Sequence, residues 1–178
     1  MPKIEELKGI KNGTIGWDLL VESPKDKICI QTKKSIRGFF IMKSQGPIDY
    51  PAKDILRCMN CPDFIKMWAI NNDQTRFVKK VGVNGYIHYN KTRKLMVVQS
   101  RDFVTNMIQN TEPDGSVIYC CSSIGCSYDF PTVKDTVRGS TPISGVIITP
   151  NPQDPSKSEM TIINEADLKT GVPDFIIR

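Results

Sequence analysis

The sequence lacks the features that mark a membrane-spanning or secreted chain. No apolar run approaches the length of a membrane span. The segment from Met1 to Leu7 carries acidic residues where a signal peptide would have an apolar core, so we expect a cytoplasmic location. The six cysteines are then expected to be free thiols in a reducing compartment.

Histidine is also scarce, which argues against a catalytic or metal site. Cys58 and Cys61 have a metal-like spacing, but zinc sites usually add a second spaced pair or supporting histidines. His88 is the only histidine and has no acidic residue close to it in sequence, so a structural or surface role is the simpler interpretation. We therefore expect no metal, no cofactor and no enzymatic activity.

The composition indicates one globular domain. With 178 residues, 39% hydrophobic and 24% charged, the chain can bury a substantial core, and we expect a single domain over residues 1–178. A net charge of +5 suits a weak attraction to anionic membranes or nucleic acid, and a solvated basic surface is the simpler explanation of it. The basic residues Lys33, Lys34, Lys79 and Lys80 lack interleaved aromatic residues, so no nucleic-acid partner is expected.

The periodicity of apolar residues predicts an α+β fold. Ile4, Leu7 and Ile10 favour a short helix, three strands follow over residues 17–44, and two short helices begin at Pro51 and Pro62. About six strands then run from residue 76 to residue 165, and the proline-rich segment 149–156 is predicted to be a hairpin loop. An antiparallel sheet of this size must curve, and its concave face must be filled.

Four marks in the sequence point to one family. They are Trp68, the alternating segment from Gln99 to Met107 with Arg101-Asp102-Phe103-Val104, the tripeptide Val137-Arg138-Gly139, and the segment from Asp167 to Pro173. In this order they resemble the START domain, the lipid-transfer module related to steroidogenic acute regulatory protein. The resemblance implies a helix-grip fold, with a C-terminal helix laid across a curved antiparallel sheet of about nine strands around a lipid tunnel.

One departure from the family pattern concerns the end of the chain. The sequence stops at Arg178, where the family's C-terminal helix is only beginning, so that helix is expected to be missing or truncated. An uncovered groove would expose a large apolar patch, and a homodimer is one arrangement that would cover it.

The resemblance also implies which residues line the tunnel. Strand parity puts Phe103, Thr105 and Met107 on one face, which the resemblance makes a tunnel wall. Sterol-binding members carry a buried acid and a buried arginine where this sequence has Tyr89 and Met107, which argues against a sterol site that depends on that pair. The expected lining residues are Trp68, Tyr89, Phe103, Thr105, Met107, Tyr119, Ser123 and Arg138. Ordinary core packing is the alternative for any one of them.

A basic segment between two predicted strands corresponds to the loop that gates the tunnel in the family. It contains Lys91, Arg93, Lys94, Leu95 and Met96, and basic residues beside an apolar tip suit docking on an anionic bilayer. Alternatively, residues 95–98 extend the next strand into the core. The expected function is to bind one lipid (a phospholipid, sterol or sphingolipid) and transfer it between membranes, at whose surfaces the domain docks transiently. The alternative is a lipid-sensing domain without net transport.

Overall fold

The structure, a computed structural model, describes residues 3–94 and 98–169. Its helices are α1 (Ile4–Asn12), α2 (Ala52–Met59) and α3 (Pro62–Trp68). Its strands are β1 (Asp18–Ser23), β2 (Ile28–Lys34), β3 (Phe40–Ile48), β4 (Asn72–Val81), β5 (Gly85–Thr92), β6 (Ser100–Thr111), β7 (Val117–Ser122), β8 (Thr136–Arg138), β9 (Ser140–Asn151) and β10 (Asp154–Asp167). No described helix is long and apolar enough to cross a membrane.

These strands form one sheet in the order β1-β2-β3-β10-β9-β7-β6-β5-β4. All neighbours in that order are antiparallel, and the short strand β8 pairs in parallel with the start of β6. The predicted curved antiparallel sheet with few helices is confirmed. The sheet has ten strands because the single strand predicted over residues 135–148 divides at Gly139 into β8 and β9. The expected truncation of a C-terminal helix concerns residues 170–178, which lie outside the described part.

The hairpin between β9 and β10 is tighter than the prolines predict. The sequence favours a loop over residues 149–156, whereas β9 continues to Asn151 and β10 begins at Asp154. Pro150 still pairs with Ser158, and Pro155 falls in a register shift between Asp154 and Ser158. A bulge of this kind accommodates proline because the ladder needs no donor there.

Helix α1 covers one face of the sheet. Its Leu7 is fully buried in a cluster with Ile41, Ile118, Cys120, Ile143, Ile147 and Ile163. A Cβ atom on Gly145 would lie 2.6 Å from Leu7 Cδ2, so the absence of a side chain at Gly145 lets the helix approach this closely.

Buried charges attach α1 to the sheet. Arg37 donates through Nη1 to Glu165 Oε2 at 2.7 Å and through Nη2 to Glu6 Oε1 at 2.5 Å. Lys43 Nζ donates to the carbonyl oxygen of Gly13, just past the end of α1, at 3.1 Å. A cation is favourable there because the helix dipole is negative at its C-terminal end.

Helix α2 lies on the opposite face of the sheet and covers only one end of it. Ala52 packs against Val117 and Ile148, with Ile55, Leu56, Met59, Val146 and Met160 around them. The face that α2 covers in part is called the groove face below, and the face under α1 is called the helix face.

Candidate functional site: a groove on one face of the sheet

A groove of about 310 Å³ crosses the groove face beyond α2. Its lining residues come from β5, β6, β7, β9 and β10 and from the segments that flank them: His88, Asn90, Thr92, Phe103, Thr105, Cys121, Thr141, Ser144, Asn164, Ala166 and Leu168. Seven of these eleven residues have a nitrogen or oxygen atom in the side chain, and none of the eleven is an aspartate, glutamate, lysine or arginine.

Strand register explains why distant parts of the sequence meet in this groove. Met107 is paired with Cys121, Cys121 with Ser144, and Ser144 with Asn164. Directly paired residues project from the same face of a sheet, so these side chains form a row across four strands. The row continues from Asn164 to Met42 on β3.

The cross-strand pair of His88 and Thr105 forms one polar part of the groove. Thr105 is 4% exposed, and its Oγ1 atom is buried with no hydrogen-bond partner in the described part of the chain. The neighbouring Cys121 thiol is a weak donor, and burial raises its pKa to about 12, so it stays neutral. Burial also lowers the pKa of His88 to about 4, so its imidazole is neutral at physiological pH.

An apolar strip adjoins this polar lining on the same face. Met42 is 42% exposed and Phe40, two residues earlier on β3, is 45% exposed. Register places Val21 of β1 and Ile30 of β2 on this face as well, and Val21 is also exposed. Exposed apolar side chains grouped on one face indicate a surface that something else covers.

Two of the expected lining residues lie on the other side of the sheet. Tyr89 is paired with Val104 and stacks on Phe130 with ring centroids 4.2 Å apart, within a cluster on the helix face. Arg138 reaches the same side, where its guanidinium binds Asp102. Adjacent strand residues point to opposite faces, so Tyr89 cannot line the groove that His88 lines.

Two of the four sequence marks, Arg101-Asp102-Phe103-Val104 and Val137-Arg138-Gly139, serve mainly to join strands. Asp102 accepts from Arg138 Nε at 2.7 Å and from Nη2 at 3.0 Å, while the Gly139 N–H donates to the Asp102 carbonyl oxygen at 2.9 Å. Phe103 packs so closely that a Cβ atom on Gly139 would lie within 3.0 Å of its ring. These contacts hold β8 against β6 and fix the Phe103 ring at the groove wall.

The remaining expected lining residues take varied positions. Phe103 and Thr105 line the groove, and Met107 shares their face but is 2% exposed. Tyr119 lies on this face too, with its hydroxyl donating to Asn60 Oδ1 at 2.6 Å below α2. Ser123 follows the end of β7 and accepts through Oγ from the Thr141 N–H at 2.9 Å. The side chain of Trp68 lies outside the described part.

The expected gate segment is described only in part. Lys91 belongs to β5 and binds Asp73 at 2.9 Å, and the Arg93 N–H donates to the Asn71 carbonyl oxygen. Lys94 is exposed. Leu95 and Met96 lie outside the described residues.

The fold and the groove together define a curved-sheet binding domain with a groove on one face. The sequence matches the START domain family over residues 4–178, so the chain belongs to that family. Membership supports lipid binding in general, and domains of this family are typically non-enzymatic binding domains.

Solved structures show the same fold. Human StAR-related lipid transfer protein 5 superposes with a TM-score of 0.87 at 17% identity, covering 98% of this chain and 83% of that one. Human STARD10 superposes with a TM-score of 0.80 at 18% identity, covering 97% of this chain and 69% of that one. The human StarD13 (DLC2) lipid transfer and protein localization domain gives 0.75 at 23% identity, covering 97% and 85%. A search of curated protein sequences finds no match.

Several groove residues carry no motif in the sequence. His88, Asn90, Cys121, Ser144 and Asn164 become neighbours only through strand pairing. The sequence offers one signal for His88, which is its position next to the predicted lining residue Tyr89. Only one of these two neighbours can face the groove, and choosing between them requires knowing which residues of β5 point to which face of the sheet.

Proposed function

We propose that this domain binds one lipid along the groove face and transfers it between membranes. The observation that carries this proposal is that a polar groove and an exposed apolar strip share one face of the sheet. The polar end of the ligand lies over His88 and Thr105, and its hydrocarbon part lies along Phe40, Met42 and Val21. An amphipathic surface of this kind matches an amphipathic ligand.

The work of such a domain is burial rather than catalysis. An acyl chain of about sixteen carbons carries roughly 13 kcal/mol of transfer free energy, at about 0.8 kcal/mol per methylene. A carrier must keep most of this surface away from water and release it only where a membrane accepts it. Arg93 and Lys94 are exposed and directly follow Thr92, a groove residue at the end of β5, so they can supply positive charge for contact with an anionic bilayer.

A cytoplasmic site of action is part of the proposal. It is supported by the six cysteines, all of which are free thiols. Free thiols persist in reducing compartments, where the cytoplasmic leaflets of membranes also carry anionic lipids.

Native mass spectrometry of the protein after incubation with lipid vesicles tests binding. We expect one lipid per chain in the wild type and little in Asn164→Trp, which fills the groove from an exposed position on β10. Glu159→Trp is the matched control, because Glu159 is exposed on the same strand but on the helix face. Equal loss in both variants, or no lipid in the wild type, would contradict the proposal.

A lipid-sensing domain is the second candidate, since a sensor needs the same groove. The two differ in release. A transfer protein moves a fluorescent lipid from donor to acceptor vesicles at a rate proportional to its concentration, whereas a sensor retains its ligand. Binding without vesicle-to-vesicle transfer would favour the sensor.

A further inference from the structure

We infer that the groove selects lipids whose polar end is an uncharged hydrogen-bonding group, such as a hydroxyl or an amide, over lipids with a phosphate. This inference rests on the proposed function and concerns the same groove. It is carried by the opposed pair of His88 and Thr105 and by the absence of formal charge among the described lining residues.

The His88–Thr105 pair offers hydrogen bonds that the protein itself leaves unused. Thr105 Oγ1 is buried without a nitrogen or oxygen partner in the described chain, and only the Cys121 thiol, a weak hydrogen-bonding group, lies beside it. The centroid of the His88 ring lies 5.5 Å from that of the Phe77 ring, which is an apolar neighbour. A buried hydroxyl without a good partner destabilises the empty groove, and a ligand group that pairs with it recovers that free energy.

This pair suits a group that both donates and accepts. A neutral imidazole has one donor nitrogen and one acceptor nitrogen, and a threonine hydroxyl can do either. Directly paired strand residues have Cβ atoms about 5 Å apart, so one small ligand group can reach both. Asn90, paired with Phe103 further along β5, adds an amide on the same face.

A phosphate would be poorly matched here. Moving an anion out of water without a cation beside it is strongly unfavourable. On β6, Arg101 lies two residues from the groove residue Phe103 and on the same face, and it is 4% exposed. Its guanidinium already donates to the main-chain carbonyl oxygens of Leu168 at 3.4 Å and Gln99 at 2.5 Å.

The test compares two lipids that differ only at the group in question: dioleoylglycerol, with a free hydroxyl, and dioleoyl phosphatidic acid, with a phosphate at that position. Both are offered in vesicles of otherwise identical phosphatidylcholine composition, and bound lipid is measured by native mass spectrometry. We expect dioleoylglycerol to bind about tenfold or more tightly than phosphatidic acid. The phosphate of phosphatidic acid would lose one to two hydrogen bonds or leave its charge unpaired in the groove.

Thr105→Val removes the hydroxyl and keeps the shape, so dioleoylglycerol binding should fall about three- to tenfold while a thermal melt stays cooperative. His88→Leu is the second variant. It removes the imidazole and should lower dioleoylglycerol binding to a similar extent. Equal binding of the two lipids, or a preference for phosphatidic acid, would overturn the inference and leave the proposed function standing. Failure to bind either lipid or the carrier phosphatidylcholine would overturn the proposed function itself.

Discussion

Asp102 and Arg138 form a two-pronged ion pair that joins β6 to β8, with Nε–Oδ1 and Nη2–Oδ2 distances of 2.7 and 3.0 Å. The Asp102 side chain is 2% exposed and that of Arg138 is 33% exposed. Arg138 also donates to the main-chain oxygen of Phe130, whose ring stacks on Tyr89. The pair therefore ties the segment before β8 to the helix face, and it orients β6 so that Phe103 and Thr105 face the groove.

Asp102→Asn should lower the free energy of unfolding by about 1–3 kcal/mol, because it leaves the Arg138 guanidinium without its charge partner. This loss of unfolding free energy is smaller than that for breaking a fully buried ion pair, because water reaches the Arg138 side chain. Urea unfolding measures it. Asp73→Asn, in the more exposed pair with Lys91, is the control and should cost less than about 1 kcal/mol. Equal losses of stability in Asp102→Asn and Asp73→Asn would argue against a structural role for the ion pair of Asp102 with Arg138.

Gly139→Ala should destabilise the domain by about 1–3 kcal/mol, because a Cβ atom there would lie 2.4 Å from a Phe103 ring carbon. Thermal unfolding checks the effect. Gly9→Ala is the matched control, since a Cβ atom in the middle of α1 has nothing within 4 Å and alanine favours a helix. Combining Gly139→Ala with Phe103→Leu should recover part of the loss, and no recovery would contradict the proposed clash.

Arg37→Met should lower stability by about 3–5 kcal/mol, because it leaves the fully buried Glu165 without its cation. The double variant Arg37→Met, Glu165→Gln should be more stable than Arg37→Met alone, since no charge is then left unpaired. Chemical unfolding of the single and double variants measures this coupling. Arg57→Met provides a control, as Arg57 is 84% exposed at 3.8 Å from Asp54. Additive effects in the double variant would refute the coupling.

His88 should make stability fall with acidification. Its pKa is lowered by burial from 6.5 to about 4, so between those values the unfolded chain binds a proton that the folded chain does not. The loss begins below about pH 6.5, is about 3 kcal/mol near pH 4 and levels off within about one pH unit below that. Comparing unfolding free energies of the wild type and His88→Gln across this window isolates the effect. Parallel pH profiles would contradict it.

The element order was predictable because it depends on local patterns. Helical spacing of Ile4, Leu7 and Ile10 gave α1, and the alternation around Phe103 gave β6. The groove was less predictable because it depends on parity and pairing across the sheet. A shift of one residue separates His88 from Tyr89 and sends their side chains to opposite faces.

The role of Arg138 shows a second limit. From its residue type and its place in Val137-Arg138-Gly139 alone, Arg138 is expected to contact a polar headgroup. Its partner Asp102 is 36 residues away, and only the parallel pairing of β6 with β8 brings the two together. Asp102 itself was recognisable as part of a motif, but its ion pair was not.

Side-chain NMR during a lipid titration tests the central claim most directly. His88 is the only histidine and faces the groove, whereas the Trp17 indole donates to the Gly13 carbonyl oxygen beside α1, on the other face. With dioleoylglycerol, we expect a change in the His88 ring resonances that saturates at one lipid per chain, with the Trp17 indole resonance unmoved. Saturable shifts at Trp17 with His88 unchanged would place the ligand on the wrong face and contradict the account.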